Sequence, residues 1–77
     1  MAFAEIKMET LKVNGVEKQF PAGQLPATVA ELLKQLGINE ATVVAEVDGR
    51  VVARKKFAQT RLYDGQTIEL VRFMGGG

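Results

Sequence analysis

Seventy-seven residues, with ten basic and nine acidic side chains and a net charge of +1, make one small domain with little room for a deep pocket. The sequence has no cysteine, histidine, serine or tryptophan, so the common catalytic nucleophiles, the neutral-pH proton shuttle and the usual zinc ligands are missing. The weak net charge gives no strong field for nucleic acid or membranes. A self-sufficient enzyme would have to rely on threonine, lysine, Tyr63 or the nine carboxylates. We therefore expect a protein that is not an enzyme, holds no metal or cofactor, and works through its surface or a terminus.

The first residues and the absence of cysteine predict a cytoplasmic protein. Residues 1–4 are apolar, but Glu5, Lys7 and Glu9 follow at once, so neither a signal peptide nor a membrane span is predicted. A chain without cysteine cannot use a disulfide scaffold and fits a reducing compartment.

The first predicted element is a β-hairpin. Polar and apolar side chains alternate from about Met8 to Val13, with Leu11 and Val13 predicted to face inward. Asn14-Gly15 then supplies the positive φ angles of a two-residue turn, and the second strand returns over residues 16–20.

An amphipathic helix follows a loop that contains two prolines and a glycine. Its apolar residues recur at i, i+3, i+4 and i+7, on one face: Val29, Leu32, Leu33 and Leu36. Thr28 and Glu31 have the spacing of a capping box, and Gly37 suits the left-handed position after the last turn, with Ile38 folding back on Leu33. A helix this short is not stable alone, so its apolar face must pack on another element.

A second hairpin, an irregular crossover and a last strand complete the predicted order. Residues 42–47 and 50–53 flank Asp48-Gly49, another two-residue turn. Residues 53–62 lack the alternation of a strand and predict a crossover with a turn of helix around residues 56–59. After a turn, the final strand is predicted over residues 67–73. The order predicts an α+β protein in which one main helix packs on one face of a mixed sheet of about five strands.

The sequence ends on Gly75-Gly76-Gly77, directly after the last predicted strand. Glycine has no Cβ, so this tail can enter a channel too narrow for side chains. Three extended residues would project the terminal carboxylate by about 10 Å. On its own such a tail is more typical of a functionless terminus, but composition leaves no other credible chemical group. We expect residues 1–74 to form a single domain and residues 75–77 a flexible tail.

Several short motifs in a fixed order carry a family resemblance. They are Lys12-Val13-Asn14-Gly15, residues 28–33, Val47-Asp48-Gly49, residues 52–54, residues 64–69 and the terminal glycines. Each motif is weak alone, but together their order and spacing resemble the β-grasp (ubiquitin-like) fold and the ThiS/MoaD-like family of sulfur carrier proteins, with ThiS the nearer branch. Ala53 departs from the proline common in that branch, and the third glycine assigns the reactive carboxylate to Gly77.

The resemblance implies a carrier of sulfur for thiazole formation in thiamine biosynthesis. The Gly77 carboxylate would be adenylated by a ubiquitin-activating-enzyme-like adenylyltransferase (ThiF-like) and then converted to a thiocarboxylate, with Gly75 and Gly76 threading the tail into the partner. A sulfur donor protein and thiazole synthase are the other implied partners. Neither a cofactor nor a nucleic acid or membrane is implied.

The last strand also offers a candidate docking surface for a partner. Val71 and Phe73 share one face of this strand, opposite its other apolar residues, and therefore form an apolar patch beside the tail if the helix covers the opposite face. Arg72 and Met74 are the neighbouring candidates. The alternative is that Phe73 packs under the N-terminal segment or the crossover, and the pattern does not decide between the two.

Five basic residues cluster between the second hairpin and the last turn: Arg50, Arg54, Lys55, Lys56 and Arg61. They can meet an acidic surface on a partner, although a solvated loop is the more common meaning of such a run. Tyr63, in the turn that follows, is more typical of the edge of a core than of a catalytic phenol.

Three other functions remain open at this point. A MoaD-like sulfur carrier for molybdopterin synthesis would use the same carboxylate chemistry. A TGS-like interaction module shares the β-grasp fold but needs no terminal glycines. A ubiquitin-like protein modifier shares the adenylated diglycine but forms amide bonds to lysines.

Overall fold

The computed structural model describes residues 7–73, and these residues form five strands, one α-helix and two short 3-10 helices. In chain order the elements are β1 (Met8–Val13), β2 (Val16–Pro21), α1 (Val29–Leu36), a 3-10 helix (Glu40–Thr42), β3 (Val43–Val47), β4 (Arg50–Val52), a 3-10 helix (Arg54–Lys56) and β5 (Thr67–Arg72). The predicted order of hairpin, helix, hairpin, crossover and strand is therefore confirmed.

The five strands form one mixed sheet in the order β2-β1-β5-β3-β4. The last strand of the chain is thus the central one, parallel to β1 and antiparallel to β3. Its register pairs Val13 with Ile68 on one side and Val43 with Arg72 on the other. The C-terminal end of β5 consequently lies at the same end of the sheet as the first hairpin turn and the beginning of β3.

The helix covers one face of this sheet and closes the core. Within residues 7–73, twelve buried apolar residues form the core cluster: Leu11, Val13, Val29, Leu32, Leu33, Val43, Ala45, Val47, Phe57, Leu62, Ile68 and Leu70. Leu36 and Ile38 are partly buried against this cluster. Burial of a leucine or isoleucine side chain stabilises a fold by about 1.5–3 kcal/mol, which accounts for a stable helix of only eight residues.

The predicted helix ends agree with the structure, with one difference. The Thr28 hydroxyl accepts a hydrogen bond from the Glu31 amide at 3.2 Å. The reciprocal bond of a capping box, from the Thr28 amide to the Glu31 carboxylate, is absent from the described part of the chain. At the other end Gly37 adopts φ +71°, and the Ile38 amide donates to the Leu33 carbonyl at 2.9 Å, which is the Schellman arrangement.

The crossover differs from its prediction in the position of its helical turn. The 3-10 helix covers Arg54–Lys56, whereas residues 57–59 form turns and not the predicted helix. The reason is that Phe57 is drawn into the core, where it is 1% exposed. Its carbonyl then accepts the Ala30 amide at 3.1 Å, and the Thr60 carbonyl accepts the Val29 amide at 3.0 Å. The crossover therefore caps the first turn of α1.

Candidate functional site

Both hairpin turns hold the backbone of β5, one from each side. The Asp48 carboxylate accepts the Thr67 amide at 2.9 Å, and the Asp48 amide donates to the Thr67 carbonyl at 2.8 Å. The Asn14 side chain accepts the Leu70 amide at 2.7 Å and donates to the Leu70 carbonyl at 3.1 Å. Thr67 begins the strand and Leu70 lies three residues before Phe73, so β5 is fixed near both of its ends.

The last described residues, Arg72 and Phe73, are still bound to the neighbouring part of the chain. On the β3 side, Val43 pairs with Arg72, and the Phe73 amide donates to the Thr42 carbonyl at 3.1 Å. Ladder bonds therefore extend to the last residue that the structure describes. Met74 and the predicted glycine tail, Gly75, Gly76 and Gly77, lie outside the described residues.

Val71 and Phe73 lie on the face of the sheet opposite the helix. Val71 is 60% and Phe73 49% exposed, whereas Ile68 and Leu70 on the other face are buried. Arg72 is exposed as well. The side chain of Phe73 is therefore half exposed, which favours the predicted patch over packing under the crossover. The other alternative, packing under the N-terminal segment, involves residues 1–6, which lie outside the described residues.

Neighbouring strands enlarge this exposed apolar surface. Val44 pairs with Val71 in the register of β3 and β5, and Val51 pairs with Glu46 in the register of β3 and β4. Val44 is 41% exposed and Val51 67% exposed. We call Val44, Val51, Val71 and Phe73 together the outer apolar patch. Sequence reasoning missed Val44 and Val51 because their place beside β5 depends on a strand order that local patterns do not specify.

A shallow groove of about 340 Å³ borders the outer apolar patch on the crossover side. Phe73 and Arg54 both line it, together with Val52 and the buried Phe57. Glu40 also lines the groove. The lining combines apolar side chains with two charged ones, a composition that suits contact with another protein.

Tyr63 does not lie at the edge of the core as predicted, since its side chain is 60% exposed. Its backbone explains the position: the Tyr63 amide donates to the Gln66 side chain at 2.7 Å, and the Tyr63 carbonyl accepts the Gln66 amide at 3.3 Å. The turn is held through its main chain, so the ring is left in solvent. Among residues 7–73, no cluster of acidic side chains is arranged to hold a metal ion.

The family follows from comparison with known proteins. Residues 11–77 match the model of the ThiS family, which is most of the chain and includes the terminal glycines. The chain belongs to the ThiS family. The predicted resemblance and the β-grasp fold are both confirmed, and membership in a family of small sulfur carrier proteins agrees with the prediction that the chain is not an enzyme.

Solved structures of ThiS-family proteins have the same fold. The crystal structure of a thiamine biosynthesis protein (ThiS) from Geobacter metallireducens is 38% identical to this chain, with a TM-score of 0.73 over 88% of this chain and 99% of that one. The solution structure of a thiamine biosynthesis protein from the same organism gives a TM-score of 0.70 at 38% identity, over 88% of this chain and 87% of that one.

Two curated relatives extend the comparison. The sulfur carrier protein ThiS of Bacillus subtilis is 25% identical over 67 residues, covering 87% of this chain and 98% of that protein. The thiazole synthase of Paramagnetospirillum magneticum is 37% identical over 67 residues, also 87% of this chain. The chain spans only 20% of the length of that thiazole synthase. In the described part of the chain, no helix has the length and apolar character needed to cross a bilayer.

Proposed function

We propose that this chain carries sulfur for thiazole formation in thiamine biosynthesis, and that the carboxylate of Gly77 is the group that holds the sulfur. The observation that carries the proposal is the match of residues 11–77 to the ThiS family, since the matched segment includes the glycines. Relatives described as a sulfur carrier protein and as thiamine biosynthesis proteins support the same pathway. These descriptions favour thiamine over molybdopterin synthesis, and none of them favours a TGS-like module or a protein modifier.

The chemistry requires activation of the carboxylate because a carboxylate is a poor electrophile. A carboxylate oxygen of Gly77 attacks the α-phosphorus of ATP, pyrophosphate leaves, and an acyl adenylate forms. A sulfur nucleophile at the oxidation level of sulfide then attacks the acyl carbon, the bond to AMP breaks, and a thiocarboxylate remains. The chain has no cysteine to hold sulfur as a persulfide, so its terminal acyl group is the remaining carrier.

Three partners are proposed for these steps. A ThiF-like adenylyltransferase supplies the ATP site, a sulfur donor protein supplies the nucleophile, and thiazole synthase receives the sulfur. The thiazole synthase of Paramagnetospirillum magneticum contains a segment similar to this chain within its own polypeptide. A carrier-like segment joined to a thiazole synthase supports a working association between the two kinds of protein.

We further propose that the outer apolar patch, with Arg72 and Met74, docks the adenylyltransferase. The patch lies on the open face of the sheet, and its Val71 and Phe73 immediately precede the tail. Exposed apolar groups next to one another on a small domain favour contact with a partner. Side-chain-free residues 75–77 would then reach from this patch into the active site. The boundary of the domain at residue 74 and the cytoplasmic location remain predictions.

Intact-mass spectrometry tests the proposed function. The chain is incubated with ATP, a sulfur donor and its cognate adenylyltransferase, and we expect one oxygen of the chain to be replaced by sulfur. A chain extended beyond Gly77 by an affinity tag is the matched control, since its glycine carboxylate is blocked while its fold is unchanged. An unchanged mass of the untagged chain, under conditions that load a known carrier, would refute the proposal. Loading of the tagged chain would refute the assignment to Gly77.

A further inference from the structure

Basic residues are concentrated in one segment of the chain, which runs from β4 to the turn before β5. Residues 50–63 contain five basic residues and no acidic ones, and the remainder of the chain has five basic against nine acidic residues. This segment therefore carries a local charge of +5 although the net charge of the chain is only +1. In space, Glu40 lines a groove with Arg54, and Asp48 lines another with Arg50. We call the five residues the basic surface: Arg50, Arg54, Lys55, Lys56 and Arg61.

The basic side chains of this surface make no hydrogen bond or ion pair with other residues in the part of the chain that the structure describes. All five side chains are exposed. Within residues 7–73, none of them donates a hydrogen bond to another side chain or to the backbone, and none pairs with a carboxylate. Small domains usually intersperse the two signs of charge, so an unpaired cluster of one sign points to a role outside the fold.

The backbone beneath these cations is fixed, unlike that of an ordinary solvated loop. Arg54, Lys55 and Lys56 form a 3-10 helix whose next residue, Phe57, is buried in the core. The Lys56 carbonyl accepts the amides of Gln59 and Thr60 at 3.0 and 2.9 Å. The crossover is also bonded to the first turn of α1. The cations consequently project from a rigid platform.

The basic surface adjoins the outer apolar patch and thereby the exit of the tail. Arg54 lines the same groove as Phe73, Val44 and Val51. An apolar centre with a charged rim is the usual arrangement of transient protein interfaces. Single-stranded nucleic acid would instead call for several exposed aromatic rings interleaved with the cations. Among the described residues that line the groove with Arg54, only Phe73 presents an exposed aromatic ring, since Phe57 is buried.

We propose that the basic surface docks an acidic surface of the adenylating enzyme, beside the outer apolar patch. This proposal rests on the proposed function, because the partner is the enzyme that activates Gly77. Complementary charge chiefly raises the rate of association, which suits a carrier that must bind its enzyme and then leave it. The tail must enter the active site of the adenylating enzyme, and Arg54 lines the same groove as Phe73, close to the start of the tail, so an enzyme that binds the tail lies within reach of the basic surface.

Charge reversal tests the proposal without disturbing the core. Arg54→Glu combined with Lys56→Glu changes two exposed residues of the basic surface. Lys7→Glu combined with Lys34→Glu is the matched control, since both residues are exposed, lie outside the basic surface and give the same change in net charge. The rate of ATP–pyrophosphate exchange by the cognate adenylating enzyme is measured against carrier concentration at several salt concentrations. Thermal unfolding of both variants checks that the fold is retained.

We expect the basic-surface variant to raise KM about tenfold at low salt, with kcat nearly unchanged and with a weaker salt dependence than the wild-type chain. The control variant should retain most of the wild-type affinity. Equal effects of the two variants, or no effect of either, would overturn the proposal. Binding of a single-stranded RNA by the wild-type chain that is lost in the basic-surface variant, with unchanged exchange kinetics, would also overturn it. Failure of the wild-type chain to support exchange would instead refute the proposed function.

Discussion

The two hairpin turns of the sheet have nearly the same backbone conformation but bind different parts of the central strand. Asn14 and Gly15 have φ angles of +49° and +81°, and Asp48 and Gly49 have +50° and +82°. Each turn places its first side chain against β5. Asp48 bonds Thr67, at the beginning of the strand, whereas Asn14 bonds Leu70, close to its end.

Each of the two side chains has the hydrogen-bonding groups that its backbone partner on β5 requires. Leu70 offers both its amide and its carbonyl to the first turn, and an asparagine amide has an acceptor and a donor for them. At the second turn the Thr67 carbonyl already accepts the Asp48 backbone amide, so the side chain needs only an acceptor for the Thr67 amide. An asparagine at the first turn and an aspartate at the second therefore have distinct physical reasons.

The largest loss of stability is expected from a substitution in the buried face of β5, the strand to which both turns are bonded. Ile68 lies on β5 between the two bonded residues, and its side chain is fully buried. Ile68→Ala should lower the free energy of unfolding by about 2–5 kcal/mol, because it removes apolar contacts and leaves a cavity. Urea denaturation measures this change. Val71→Ala on the same strand is the control, and a comparable loss there would mean that the outer face is covered.

Replacement of each turn residue by glycine separates turn geometry from the bond to β5. Glycine adopts positive φ without steric cost, so what is lost is mainly the side-chain contact. Asn14→Gly should cost about 1–3 kcal/mol, since the part-buried polar groups of Leu70 lose both partners. Asp48→Gly should cost less, because its side-chain bond to Thr67 is exposed. Equal losses in urea denaturation would contradict the distinction between the two turns.

The turns themselves were predictable, and the bonds that they make to β5 were not. Asn-Gly and Asp-Gly demand a two-residue turn through local backbone sterics, so their geometry is readable from adjacent residues. The helix is equally local, since its apolar spacing and the cap at Gly37 lie within one segment. The bond between Asn14 and Leu70 spans 56 positions, and it exists only because β5 inserts between β1 and β3.

The candidate site could likewise be predicted only as far as local sequence determines it. Alternation along one strand placed Val71 and Phe73 on a shared face, but it left open whether Phe73 is exposed. Val44 joins them only through the register of β3 with β5, which is a tertiary property. The position of the 3-10 helix in the crossover was likewise set at long range, since Phe57 fills the core and its carbonyl bonds the Ala30 amide. Local patterns predict elements well, but surfaces shared by several strands require the sheet order.

The smallest effects on stability are expected when Asn14 is replaced by aspartate and Asp48 by asparagine. Asp48→Asn keeps an oxygen to accept the Thr67 amide, so we expect less than about 0.5 kcal/mol of lost stability. Asn14→Asp keeps the acceptor for the Leu70 amide but replaces the donor to the Leu70 carbonyl with a second acceptor. Two acceptors facing each other should cost about 1–2 kcal/mol. Paired urea titrations of the two variants compare them directly, and a greater loss for Asp48→Asn would show that the donor of Asn14 contributes little to holding the end of β5.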